Sequence, residues 1–292
     1  MRTIQDYIKK LKAIEFHTHR RTRNEIAGTY HSAFKGRGMS FSECRAFADG
    51  DDIRYIDWNA SARQNALFVK QFVEERELSV CILLDLSPSM AFGSLQLTKA
   101  EAAIEAMAIV TFSALKNNDQ VSLMMFDGQG YKIIPFTKGH HRILPLIREA
   151  MQFKGNNGPC FLAESLNKAA KILKRKSLVF IISDFQASGY EHPIKQLSHR
   201  HEVLPVVVSD PLETDMIDMG LCFFEDPETH AGAWFDTSSP ATRVCLKRQN
   251  LEQIRCQNAI FKHAGLQAIR VDTTSDILFP LMHAFDTRSS HV

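Results

Sequence analysis

The 292-residue sequence has no C-x-x-C pair, and its six cysteines (Cys44, Cys81, Cys160, Cys222, Cys245 and Cys256) are scattered. That spacing excludes a zinc ribbon and a disulfide scaffold and points to reduced thiols. Net charge is almost absent: 35 Lys and Arg face 33 Asp and Glu, a formal +2. Binding to nucleic acid through overall basicity is thereby excluded. No apolar run approaches the roughly 18–20 residues that span a bilayer. Met1 to Tyr7 lacks the apolar core of a signal peptide, so a cytoplasmic location is expected. Internal repeats, low-complexity stretches, flexible linkers, a phosphate-binding P-loop and a G-x-S-x-G elbow are all missing.

What is present is an ordinary globular composition, 45% hydrophobic and 23% charged. It fits one large or two modest domains and excludes a disordered chain. Charge is uneven at the start, where residues 1–37 hold nine Lys and Arg against three acids. A solvated helix face followed by a loop is the plain explanation. A basic arm meeting anionic lipid or polymer is the functional one.

The hydrophobic pattern sets the fold expectation. Ile4, Ile8, Leu11 and Ile14 predict a short amphipathic helix, residues 28–63 read as irregular, and residues 67–74 alternate like a strand. Continuous apolar runs at 79–84, 121–126, 178–182 and 203–208 predict strands buried on both faces. Pro205 suggests irregular pairing in the last of these. Residues 131–136 form a hairpin partner after Asp127-Gly128, and 267–271 is a sixth strand. Helical patterns cover 98–115, 141–152, 161–174, 243–264 and 276–287, with a small hairpin at 220–225 and 232–237. The alternation predicts an α/β three-layer sandwich with a mostly parallel central sheet. Residues 1–75 are expected to brace a domain spanning 76–288.

The chemistry concentrates at Asp85-Leu86-Ser87-Pro88-Ser89, where the first buried strand ends. A carboxylate and two hydroxyls at this spacing turn toward one point, and such hard oxygen donors suit Mg²⁺ or Mn²⁺. Asp184 ends the fourth buried strand in the same way. If those strands are neighbours, Asp85 and Asp184 flank one crevice beyond the carboxyl ends of the strands. The alternative is that Asp85 only caps the following helix. The pairs His17/His19, His140/His141 and His199/His201 lack a third ligand nearby and read as exposed.

D-x-S-x-S after a buried strand resembles the metal-ion-dependent adhesion site of von Willebrand factor type A domains. Upstream, Gly36-Arg37-Gly38-Met39-Ser40-Phe41, Arg45, Gly50-Asp51-Asp52-Ile53-Arg54, Ile56-Asp57-Trp58 and Ala62-Arg63 resemble the bacterial family called domain of unknown function 58. Val69-Lys70, Glu74-Glu75-Arg76, Phe92-Gly93-Ser94 and Asp210-Pro211-Leu212-Glu213 resemble it too. The resemblance implies Rossmann-type strand order 3-2-1-4-5-6. It implies a metal site of Asp85, Ser87, Ser89 and, through water, Asp184. A partner's acidic side chain would fill the open coordination position. It further implies a non-enzymatic interaction module whose partner is a MoxR-type AAA+ ATPase; with the charges nearly cancelled, no nucleic-acid partner is expected. One position departs from the family pattern: Cys160 stands where the family has a Thr hydroxyl. A neutral thiol is a poor Mg²⁺ ligand. A weakened site and a metal-free adhesion face are both left open. A Mg²⁺-dependent hydrolase built on the two aspartates is the enzymatic alternative, but no nucleophile or general base accompanies them. The mixed charges of Arg45, Asp51, Asp52, Arg54, Asp57 and Arg63 suggest a salt-bridged platform before a docking surface.

Overall fold

The computed structural model describes residues 39–48, 51–64, 66–74, 77–95, 97–153, 158 and 160–289. The helix expected at 3–16 and the basic arm lie outside them. The chain divides into two compact units, one spanning Phe34–Leu78 and the other holding Ser79–Val292.

In the smaller unit, strand β1 (Met39–Ala46) pairs antiparallel with β2 (Phe68–Glu74), and helix α1 (Trp58–Gln64) lies between them in sequence. The expectation of irregular structure over 28–63 is corrected here. β1 carries a register shift between Phe41 and Glu43, which breaks the two-residue period that marks a strand in sequence. Part of the charged run is locally paired. Asp51 takes both guanidinium nitrogens of Arg45 at 2.7 and 2.6 Å. Asp52 caps a short 3₁₀ turn and grips Arg54. Asp57 accepts the Asn59 and Ala60 amides, which starts α1.

The larger unit is built on a six-stranded sheet: β3 (Ser79–Asp85), β4 (Gln120–Phe126), β5 (Tyr131–Thr137), β6 (Leu178–Ser183), β7 (Glu202–Ser209) and β10 (Ile269–Asp272). Its order is β10-β7-β6-β3-β4-β5, all parallel except the β4–β5 hairpin. Read from β5, this is 3-2-1-4-5-6, with the first and fourth buried strands side by side. A separate hairpin joins β8 (Leu221–Glu225) to β9 (Gly232–Asp236). Pro205 does not disturb the β6–β7 register, where it pairs with Ile181. β10 pairs only from Val206 onward, so β7 has one neighbour at Pro205, where a missing N–H is tolerated.

Helices cover both faces. Cys81, Leu83, Val179 and Ile181 pack against α4 (Leu162–Ile172), α5 (Glu191–Arg200) and Phe261 of α7 (Pro240–His263). The other face meets α2 (Lys99–Lys116), which also neighbours α3 (Ile143–Gln152) and α8 (Leu278–Ser289). The sequence pattern suggested one apolar stripe on α2. Instead the helix is buried nearly all round, from Lys99 to Leu115, as a helix apolar on every side must be. A capping box starts it, with Thr98 accepting the Glu101 amide and Glu101 accepting the Thr98 amide. Among the described residues, no helix is long and apolar enough to cross a membrane.

Candidate functional site

Strand alternation decides which side chains meet at the carboxyl ends of β3 and β6. Asp85 follows Cys81 and Leu83 onto the α4 face, and Ser183 follows Val179 and Ile181 onto the same face. The Ser183 hydroxyl therefore donates to Asp85 Oδ2 at 2.6 Å. Asp184, the next residue, turns to the α2 face, where Lys99 Nζ lies 2.8 Å from its Oδ2. Phe185 then takes φ +53°, with its carbonyl and that of Asp184 held by Gln257 of α7. A left-handed, fully buried phenylalanine is strained backbone, and it sits where the strand must reverse.

Asp85 is 0% exposed. Its Oδ1 accepts the Ser87 amide at 2.9 Å, and its Oδ2 also accepts the Cys160 thiol at 3.4 Å. Ser87 and Ser89 bring their hydroxyl oxygens within 3.1 Å of each other. The helix after β3 is a 3₁₀ turn, Pro88–Ala91, whose N-cap is Ser87. Asp85 thus shapes the turn rather than capping it. Burial pushes the Asp85 carboxyl up to about 6, and the negative charge of Asp184 adds to this; Ser183 and Ser87 pull the other way. The Cys160 thiol is raised, first by burial and then by the Asp85 charge, so it is neutral and acts as a donor.

Asp85, Ser87, Ser89 and Cys160 converge as the motif suggested, while Asp184 is close enough to act on Asp85 by charge but bonds elsewhere. The structure adds Ser183, Lys99 and Glu213. Lys99 is 1% exposed and also bonds Glu213 Oε1 at 2.7 Å. Burial alone would lower its ammonium, but the Asp184 and Glu213 carboxylates outweigh this and hold it raised. Glu213 belongs to Asp210-Pro211-Leu212-Glu213, which forms the capping box of the short helix α6 (Pro211–Thr214). Its Oε2 closes that box on the Asp210 amide, leaving Oε1 for Lys99 and Gln186. A signal for Lys99 existed in the sequence. A lysine in the first turn of an apolar helix opposes the helix dipole and needs a nearby acid.

The loop carrying Cys160 is set by two glycines. A Cβ on Gly128 would lie 2.4 Å from the Gly158 carbonyl oxygen, so the two backbones touch. Of the histidine pairs, His17/His19 lie outside the described residues, and His141 and His199 are exposed. His201 is buried, which corrects the expectation of an exposed ring. None of the six cysteines forms a disulfide.

The donors gathered here are hard oxygens, a carboxylate and two hydroxyls. Two carboxylates are held in a dry, mutually repulsive arrangement beside two hydroxyls, which a positive charge would relieve. Among the described residues no group of three or more His, Cys, Asp or Glu is placed to hold a metal. An ion here would rest on Asp85, the Ser87 and Ser89 hydroxyls and water, with Asp184 behind.

Residues 43–255 match the family model described as protein of unknown function DUF58. The uncharacterized protein Rv1480 of Mycobacterium tuberculosis is 27% identical over 224 residues, covering 75% of this chain and 70% of that protein. The uncharacterized protein YeaD of Bacillus subtilis is 28% identical over 104 residues, or 36% of this chain and 24% of that one. Among solved structures, BatB from Bacteroides thetaiotaomicron aligns with a TM-score of 0.47 and 16% identity, over 73% of this chain and 98% of that chain. The VWA domain of SpRpn10 aligns at 0.41 and 11%, over 74% and 96%.

Proposed function

Because this chain belongs to the DUF58 family and has a von Willebrand factor A-like α/β fold, we propose that it is a non-enzymatic protein-interaction module. It docks an acidic side chain of a partner on the rim formed by Asp85, Ser87 and Ser89. The observation that carries this reading is the fully buried Asp85 carboxylate, set beside two facing hydroxyls and under the charge of Asp184. Mg²⁺ or Mn²⁺, when bound, supplies a positive charge between the site's anions and the incoming acid. Asp85 and the two hydroxyls would hold it. Ser183 and the Ser87 amide fix the orientation of Asp85, and Lys99 pairs with Asp184 behind it.

The family resemblance points to a MoxR-type AAA+ ATPase as the partner, with the pair acting in assembly or maturation of other complexes. Thiols outside any disulfide suit a reducing compartment such as the cytoplasm.

Capture of a purified MoxR-type ATPase on the immobilised chain tests both parts. Capture should require Mg²⁺, should disappear with EDTA and should fall to background in Asp85→Ala. Equal capture by Asp85→Ala overturns the site. Capture that ignores EDTA but needs Asp85 overturns the metal. No capture by the unaltered chain overturns the partner.

A further inference from the structure

We propose that the cleft at the amino ends of β6 and β7 binds a small molecule carrying a diphosphate or a longer run of phosphates. β6 runs from Leu178 at this cleft to Ser183 at the Asp85 rim, so the two sites lie at opposite ends of the sheet. The inference does not depend on the docking reading above.

Parallel pairing builds the cleft. Leu178 registers with Glu202, so the segment that enters β6 lies beside the one that enters β7. The first follows α4 and carries Lys174, Arg175 and Lys176; the second ends α5 and carries Arg200 and His201. Lys171, in the last turn of α4, completes the wall. These six line a cavity of about 590 Å³ whose remaining lining is uncharged, with no acid in it. That volume falls among those of small-molecule sites. Both segments are tied in place. The Ser177 hydroxyl donates to the Arg175 carbonyl at 2.9 Å, the Glu202 amide to the Ser177 carbonyl at 3.0 Å, and the His201 amide to the Leu197 carbonyl at 3.0 Å.

Two observations point to an anionic ligand. The first is the five cations, all exposed and without an ion pair among the described residues. Lys171 and Arg200 answer the dipoles of α4 and α5, as last-turn cations commonly do. Lys174, Arg175 and Lys176 lie beyond the helix, and like charges gathered in one concavity repel unless an anion lies among them. The second is His201. It is only 5% exposed, yet neither ring nitrogen has a hydrogen-bond partner. Its backbone is extended, at φ −127° and ψ 158°, so its ring shares the face of Val203 and turns away from Glu202. Burial, and then the Arg200 charge, hold the imidazole below its ordinary value. A neutral ring keeps one N–H, and a buried donor left unpaired costs stability. A phosphate oxygen can take that N–H, while Arg175 and Arg200 offer the forked donors that phosphate matches. The chain as a whole carries only +2, so a compact anion seated in the cleft fits better than a long one laid across the surface.

Calorimetric titration of pyrophosphate and of ADP into the full chain tests the assignment, in EDTA and at physiological ionic strength. Both should bind, and inorganic phosphate should bind about tenfold more weakly because it reaches fewer of the cations. Arg175→Gln and Arg200→Gln should each weaken pyrophosphate binding about tenfold. Arg255→Gln, the same charge change at an exposed position outside the cleft, should leave it unchanged. All three replace exposed side chains, so the variants keep the fold. The His201 ring signals in an NMR spectrum should move as pyrophosphate saturates the unaltered chain. Absence of binding by both probes overturns the site. Equal weakening in all three arginine variants reduces it to general charge attraction and overturns it too. Binding that leaves the His201 signals in place overturns the seating of the ligand against that ring. Attachment of the chain to phosphatidylglycerol vesicles, with neither probe bound, makes the patch a membrane-facing surface and overturns the small-molecule reading.

Discussion

Lys99→Met should cost about 3–5 kcal/mol of stability, read as a lower urea midpoint with an unchanged slope. Methionine keeps the length and apolar stem of lysine but removes the charge. What it leaves behind sets the size of the effect. Asp184 stays buried, at 3% side-chain exposure, with its 2.8 Å cation gone. Glu213 is more exposed and can turn to water, so its share is small. Adding Asp184→Asn to Lys99→Met should recover much of the loss, since the stranded charge is then gone as well. A loss under about 1 kcal/mol in the single variant would contradict the buried ion pair.

Asp85→Asn should act in the opposite direction, stabilising the metal-free chain by up to about 3 kcal/mol at pH 7.5. The carboxyl titrates near 3.8 when unfolded and at about 6 when folded. Between those values the folded chain binds more protons than the unfolded one. Stability therefore falls as pH rises through the window, and above it the full cost of a buried carboxylate near Asp184 is felt. Asparagine never carries that charge. The gain should shrink toward zero as the pH is lowered to 4, and loss of the acceptor for Ser183 will trim it throughout. Added Mg²⁺ should raise the melting temperature of the unaltered chain and leave Asp85→Asn where it was. Equal melting temperatures for the two metal-free proteins across pH 4–8 would mean that the Asp85 carboxylate is not under strain.

Both predictions concern residues that the sequence reveals to different degrees. Asp85 was legible because it ends a continuous apolar run, and such runs mark strands buried on both faces. The same signal gave β4, β6 and β7, and the strand order followed from the family resemblance. Lys99 is marked in the sequence only by its place in a first helical turn. Its partners lie 85 and 114 residues downstream, and only the folded sheet brings them together. Ser183 is hard to tell from Asp184 because sequence does not say which of two adjacent side chains faces which layer. β1 was hidden by its own register shift, and α1 by its short length.

The all-round burial of α2 has a consequence for how the molecule opens. Its amide hydrogens are covered by the sheet and by neighbouring helices, so they should exchange with solvent only when the whole domain unfolds. The β8–β9 hairpin is exposed along its length and should exchange through local opening.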